Sequence, residues 1–529
     1  MNFRSSILFA TTLIACCCFS IPKINAQPLG IAWQKTIGCM GIELGTSFII
    51  DDEGYYVIAG QAGDSCEYTG HYSGFMDGWV VKLDSLGNKI WSATAGGDSA
   101  DAFVKIKQTS DGGYIAVGST RSVIGANIKR GHDDFWIVKF SRNGSILWQK
   151  TYGTADFDFA WDVAETKNGY FVVGFAGGQN SGTVDGDLTN SKGGPCDAWI
   201  IKLDTSGNLL WEKTYGSSGA DNYFVIQQTP DSNFILAGKV GAMNSDVTAP
   251  VNGHDAIFLQ KMDTAGNILW TKNYGGSVFQ IPQLIFQDPD GGYLLGAKTT
   301  SDDLDVSSNY GGYDMWAIRT NDTGKILWQK TYGGTKDDDF DAIVKSKEGG
   351  YMFFGSANSD DFDAVGNHGA YTDALVIKVN DTGAIAWHQM YGGSLGDGAG
   401  DAYQLSDSSY IFAGGTNSHN GDVVSTLPNG GTWIVKLKKD VNTGVANLNK
   451  ESGLRVYPTI TQDIITVDAA YDISKASVQL FDLSGKKIAV PFTKSNRQFV
   501  LQTGSLASGM YFVNVRTGRE ERTFKIVIN

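Results

Sequence analysis

Short apolar runs separated by glycine-rich turns recur along this chain from residue 30 to residue 437. One set reads DAIVKSK, GYMFFGSA, DALVIKV and AIAWHQMY. Each run is four to eight residues long and rich in β-branched and aromatic side chains, which predicts strands. No window places apolar residues at three-and-four spacing over a dozen positions, so no helix is predicted. The first two runs of a set are joined by SDGGY, KNGY, PDGGY or KEGGY. The last two are joined by DSLGN, DTSGN, DTAGN or NDTGK. Both joints supply Gly or Asn where a tight hairpin needs positive φ. A longer loop rich in Asp, Asn, Ser and Gly separates the second run from the third.

The set of four repeats. Its last run ends on Trp33, Trp91, Trp148, Trp211, Trp270, Trp328 and Trp387, at intervals of about 60 residues. Four antiparallel strands repeated seven times predict an all-β fold, a seven-bladed β-propeller of four-stranded blades spanning residues 27–444. The ends of the array fit ring closure. The last copy stops after its third run, TWIVKLKKD, whereas a fourth-type run at residues 30–36 precedes the first full set. That early run is expected to complete the last blade and remove an exposed edge.

Residues 1–26 read as a secretory signal, with Arg4, an apolar core over residues 7–15 and a small-residue site at Ile24-Asn25-Ala26. Leu13-Ile14-Ala15-Cys16 also fits a lipoprotein box, which leaves lipidation of Cys16 open. No other stretch is apolar for long enough to span a membrane. Once the signal is removed, Cys39, Cys66 and Cys196 remain. Cys39 and Cys66 fall in loops of one propeller face, so a disulfide between them and two free thiols are both open readings; export permits the bond. The formal net charge of −14 is concentrated in the repeats, while the tail is basic. An acidic repeat region argues against nucleic acid or an anionic membrane as partner. A monomer binding an extracellular ligand is expected.

Composition changes after Gly444. Residues 445–453 read as a linker, and residues 454–529 as a small β-sandwich. Val456-Tyr457-Pro458, Asp482-Leu483-Ser484-Gly485-Lys486, Gly509-Met510-Tyr511-Phe512-Val513 and Lys525-Ile526-Val527-Ile528 occur in order. In these features the tail resembles the C-terminal sorting domain of type IX secretion substrates. Thr459-Ile460 departs from the Asn-Pro usual there. The resemblance implies Sec export, passage through the type IX machinery as partner, removal of the tail, and release or attachment at the cell surface. The repeats, with their DGGY, GxxDxWxxK and GxxxWxKxxGG phrases, resemble propeller repeats of such exported proteins. That resemblance implies architecture and no reaction.

Candidate chemistry lies in four sets. Twelve of the 13 tryptophans are locked to two repeat positions, as blade packing requires; Trp161 alone breaks the pattern and is a binding candidate. Asp77, Asp134, Asp197, Asp255, Asp314 and Asp373 precede the third strand, where a carboxylate accepts backbone N–H bonds. Asp101, Asp158, Asp221, Asp338 and Asp397 start or adjoin the innermost strand, with Gln280 in their place once. They predict either a cation or basic-ligand site at one mouth or a solvated acidic rim. Asp302, Asp303 and Asp305, with Asp360, Asp361 and Asp363, place carboxylates at near-alternate positions, as do Asp185 and Asp187. Calcium is the cofactor such oxygens would take, and acidic turns explain them equally; none follows the EF-hand pattern. The histidines are scattered and form no H-E-x-x-H, so they do not point to zinc, and nucleophilic catalysis finds little support. The reading is a secreted or surface propeller that binds a glycan or protein through its loop face, without catalysis. The alternative is an extracellular hydrolase or lyase with carboxylates at the channel mouth.

Overall fold

A computed structural model describes residues 28–38, 43–63, 76–124, 130–177, 184–247, 255–425, 427–439, 454–457, 460–461, 464–469, 472–482, 485–517 and 521–528. The expected signal segment 1–26 with Cys16, the expected linker 445–453, and both Cys39 and Cys66 lie outside the described residues. Among those described, every regular element is a strand, and no helix is long and apolar enough to cross a membrane. The chain divides into two compact units, 27–440 and the C-terminal segment from residue 441.

Among the described residues, the unit 27–440 holds seven four-stranded antiparallel sheets. In six of them the strand order follows the chain, as in Asp338–Lys345, Tyr351–Ala357, Asp373–Val379 and Ile385–Tyr391. The seventh sheet takes Ala402–Gln404, Tyr410–Thr416 and Gly431–Leu437 from the end of the array and Ile31–Ile37 from its start. Lys35 pairs with Ile434 and Ile37 with Thr432. The early fourth-type run thus joins the incomplete last copy.

Packing between successive sheets explains why two distant sequence phrases recur together. The fourth-strand tryptophan lies over the hairpin glycine of the following sheet. Trp148 faces Gly207, where a Cβ would sit 2.7 Å from the ring. Gly207 itself has φ +78°, which a side chain disfavours. The Trp148 indole donates to Thr205 O (3.2 Å) and the Tyr152 hydroxyl to Gly207 O (2.5 Å). The third-strand tryptophans Trp79, Trp136, Trp199, Trp316 and Trp433 are wholly buried. One apolar cluster joins Phe48, Ile58 and Trp79 of the first sheet to Ile411 and Ile434 of the seventh.

The innermost strands share an irregularity. Pairing with the second strand skips one residue at Thr46, Val104, Trp161, Phe224, Gln283 and Asp341. Each is a β-bulge, which breaks the in-out alternation and re-aims one side chain.

The C-terminal unit has a four-stranded sheet (Leu454–Tyr457, Ile464–Ala469, Gln498–Gln502, Phe492–Lys494) and a five-stranded one (Ile460–Thr461, Glu521–Ile528, Gly509–Arg516, Ser477–Asp482, Lys487–Ile488). Val467, Leu480, Leu501, Val513 and Ile526 from the two sheets form one buried core.

Candidate functional site

The six bulged residues line one cavity of about 1040 Å³, and its walls draw on the innermost segments of all seven sheets. In chain order the bulges present Thr46, Val104, Trp161, Phe224, Gln283 and Asp341. The packing tryptophans and hairpin glycines recur from copy to copy; these six residues do not. Trp161 and Phe224, on neighbouring sheets, have ring centroids 5.5 Å apart, and Phe159 lies 4.5 Å from Trp161. The buried Trp161 Nε1–H has no hydrogen-bond partner. The Gln283 carbonyl accepts the Phe340 N–H (3.1 Å).

Charges around the cavity are paired. Lys105 meets Asp401 at 2.9 Å, Lys107 meets Asp162 at 2.7 Å and Lys298 meets Asp339 at 2.7 Å. Asp401 also accepts from Ser47 Oγ and Phe48 N–H, both 3.0 Å. Asp341 accepts the Ser356 hydroxyl (2.9 Å) and has no ion-pair partner among the described residues. Its enclosure by the walls pushes its carboxyl up to about 8. Asp339 and Asp401 add to the rise; Ser356 and Lys298 oppose it.

The five carboxylates that sequence spacing placed at a mouth turn to the backbone. Asp101, Asp158, Asp221, Asp338 and Asp397 are all buried. Each accepts the backbone N–H four residues before it: Gly97 (2.8 Å), Thr154 (2.5 Å), Ser217 (2.5 Å), Gly334 (2.7 Å) and Gly393 (2.7 Å). They brace the crossing from one sheet to the next and form no solvated rim. In the fifth sheet Gln280 takes the place and donates to Ser301 Oγ (2.5 Å). Burial holds Asp158 up at about 7 and Asp221 at about 6. The carboxylates before the third strand cap the preceding turn, as in Asp134 with Arg130 N–H (3.0 Å) and Asp314 with Tyr310 N–H (2.6 Å).

The acidic long loops are backbone clamps. Asp303 Oδ1 accepts Ser277 N–H (2.8 Å) and Asp305 Oδ2 accepts Gly275 N–H (3.1 Å). Asp185 and Asp187 grip Ala155 and Gly153 in the same way (2.9 and 3.1 Å). Asp361 takes Thr335 N–H (2.8 Å), while Asp363 N–H donates to Gly333 O (3.0 Å). Asn244 and Asn420 replace the first carboxylate in two copies and accept Ser218 and Ser394 N–H (2.8 and 2.9 Å). An amide oxygen therefore suffices, and these groups are committed to the chain itself. Asp360 caps Gly366 N–H (2.9 Å), and Asp302 is exposed. Three carboxylates do meet among the described residues: Asp51, Asp52 and Glu53, within 4.8 Å. Lys82 bridges Asp51 (2.7 Å) and Arg142 bridges Asp52 (2.9 Å), so cations of the protein already occupy that cluster. His368 Nδ1 lies 2.6 Å from Asp373, and Cys196 is a free thiol.

Residues 455–529 match the family described as the secretion system C-terminal sorting domain. The tail is a sorting domain. It marks the protein for export through the type IX machinery, with attachment to the cell surface or release after the domain is removed. The rest of the chain has more distant relatives. The regulatory protein FlaEY of Caulobacter vibrioides is 22% identical over 330 residues, 56% of this chain and 33% of the relative. The chain thus spans about a third of the length of that curated relative. Among solved structures, the PQQ-bound aldose sugar dehydrogenase of Streptomyces coelicolor is 9% identical with a TM-score of 0.35, covering 78% of this chain and 98% of that one. Puromycin hydrolase is 9% identical with a TM-score of 0.31, covering 69% and 58%. Likeness at this level transfers no activity.

Sequence spacing pointed to Trp161 but missed the other bulge residues. Their signal is present: they sit three residues after Glu43, Asp101, Asp221, Gln280 and Asp338, at a position where no two copies agree.

Proposed function

We propose that residues 27–440 form a seven-bladed propeller that acts, once exported, as a non-catalytic monomeric binding protein. The signal at 1–26 and the sorting domain direct it outward, and the linker at 445–453 separates the two folded parts. The ligand, a glycan or a protein segment, enters the central cavity. The observation that carries this reading is the ring of six unlike bulge residues. A repeat whose packing tryptophans and hairpin glycines recur is diversified at the bulge position, which lines the shared space. Long-loop acids serve the backbone in this reading, and no calcium is needed.

The test is a glycan and protein array probed with the full-length protein and with Trp161→Ala. A ligand captured by the native protein and lost by the variant supports the cavity. Capture unaffected by the variant places binding elsewhere and sinks the reading. One observation favours an extracellular hydrolase or lyase instead: Asp341 is held protonated near neutrality beside Asp339, which suits a general acid. Turnover of a captured ligand that Asp341→Asn abolishes would establish that alternative.

A further inference from the structure

We infer that the cavity takes a neutral saccharide, stacked on Trp161 and Phe224 and hydrogen-bonded by Gln283 and Asp341. The inference rests on the cavity reading above and names its ligand class. Four successive sheets present, in order, indole, phenyl, amide and carboxyl at the bulge position. Two adjoining aromatic rings, tilted by 42° to each other, offer apolar ring faces of the kind the C–H face of a pyranose covers. The amide and carboxyl beside them match hydroxyl groups, which both donate and accept. The buried, unpartnered Trp161 Nε1–H is one more donor that a hydroxyl would satisfy.

Charge excludes the competing classes. The lining contains Lys105, Lys107 and Lys298 against Asp162, Glu165, Asp341 and Asp401. Every one of these lysines is already ion-paired, so an anion finds no free ammonium. Glu165 accepts Ser110 N–H and Oγ (2.7 and 2.8 Å). Of the lining carboxylates, Glu165 and Asp341 have no ion pair among the described residues; Glu165 is taken up by Ser110, and Asp341 while protonated attracts no cation. A neutral, hydroxyl-rich ligand is what remains. The volume, about 1040 Å³, lies at the upper end for single-ligand sites and accommodates several sugar rings.

The protonation state of Asp341 gives the inference a signature. The groups facing it are Asp339 on its own strand, Ser356 on the paired strand, Lys298 on the preceding sheet and Asp401 beside the innermost strand of the following one. As pH rises through about 8, the carboxyl loses its donor proton and becomes a charge. Saccharide affinity should then fall.

The experiment titrates the full-length protein with cello-, laminari-, malto- and mannotetraose, following tryptophan fluorescence and calorimetry from pH 6 to 9. Tetramethylammonium and trigalacturonate serve as cationic and anionic probes. At least one neutral tetrasaccharide should bind saturably. Trp161→Ala should weaken it at least tenfold and Phe224→Leu severalfold, at unchanged far-UV dichroism. Asp341→Asn should keep binding at pH 6 and lose the decline above pH 8. Because Trp161→Ala could misfold, Phe224→Leu carries the same test with a smaller change. Binding of tetramethylammonium that strengthens with pH and needs Trp161, with no saccharide bound, overturns the saccharide class and leaves the cavity reading intact. Trigalacturonate bound through Trp161 in place of the neutral sugars does the same. No probe sensitive to Trp161 or Phe224 overturns both.

Discussion

Asp303 shows how a residue's role is set by what its oxygen accepts. It holds Ser277 N–H, and sister copies do the same with Asn244 and Asn420. Asp303→Asn should therefore leave the melting temperature unchanged. Asp303→Ala should cost about 1 kcal/mol, the scale of a net hydrogen bond. Millimolar calcium or chelator should move neither variant; a calcium-dependent rise in the native protein would return these loops to metal binding. The residue inside the clamp is left-handed in all five copies: Gly186, Ser245, Leu304, Phe362 and Gly421. Leucine there is strained, whereas two copies use glycine. Leu304→Gly should raise stability by about 0.5–1 kcal/mol, since relief of left-handed strain outweighs the added freedom of glycine in the unfolded chain. Thermal denaturation reads this directly, and a lower melting point would refute the strain argument.

At the scale of strands and hairpins, most of the architecture was legible beforehand. Alternation, hairpin glycines and the early run at residues 30–36 are local signals, and local signals survive in sequence. The bulges were not legible, because a one-residue slip is a property of two strands together. Nor was the burial of Asp101 and its counterparts: spacing showed that the carboxylates recur, not that backbone N–H groups four residues earlier enclose them. The interchange of Asp and Asn at the clamp was the visible sign that charge was dispensable there. Hairpin packing gives a clean comparison. Gly54 and Gly207 share a positive φ, but nothing lies within 4 Å of a Cβ at Gly54 whereas Trp148 lies 2.7 Å from one at Gly207. Gly54→Ala should cost about 1 kcal/mol from backbone strain. Gly207→Ala should cost that and roughly 1–3 kcal/mol more for displacing the indole. Equal losses in chemical denaturation would show that the tryptophan does not press on the hairpin.

For the whole molecule, buried carboxylates set a pH profile. Asp158, Asp221 and Asp314 are held up at about 7, 6 and 8, mainly by burial. The folded state keeps protons that the unfolded chain releases near pH 4, so their contribution is complete below that value and is lost as pH rises through 6 to 8. Asp111 and Asp407 are held down at about 2, so their contribution disappears below pH 4. Stability should peak between about pH 4 and 6, and Asp314→Asn should flatten the alkaline limb of a melting series. A melting temperature higher at pH 9 than at pH 5 would contradict this. Removing residues 445–529 should leave the repeats folded and held in the periplasm, as fractionation would show; normal release would contradict a sorting role. Finally, the pairing of Lys35 with Ile434 spans about 400 residues. A chain that emerges from the inner membrane N-terminus first presents Ile31–Ile37 long before its partner Gly431–Leu437 exists outside. A polypeptide cut short anywhere between them keeps an unpaired strand at one end and an open sheet at the other, both marks that periplasmic proteases and chaperones recognise. The seam between Ile31–Ile37 and Gly431–Leu437 therefore acts as a length check on the repeats: only a chain that reaches Leu437 can hide both edges.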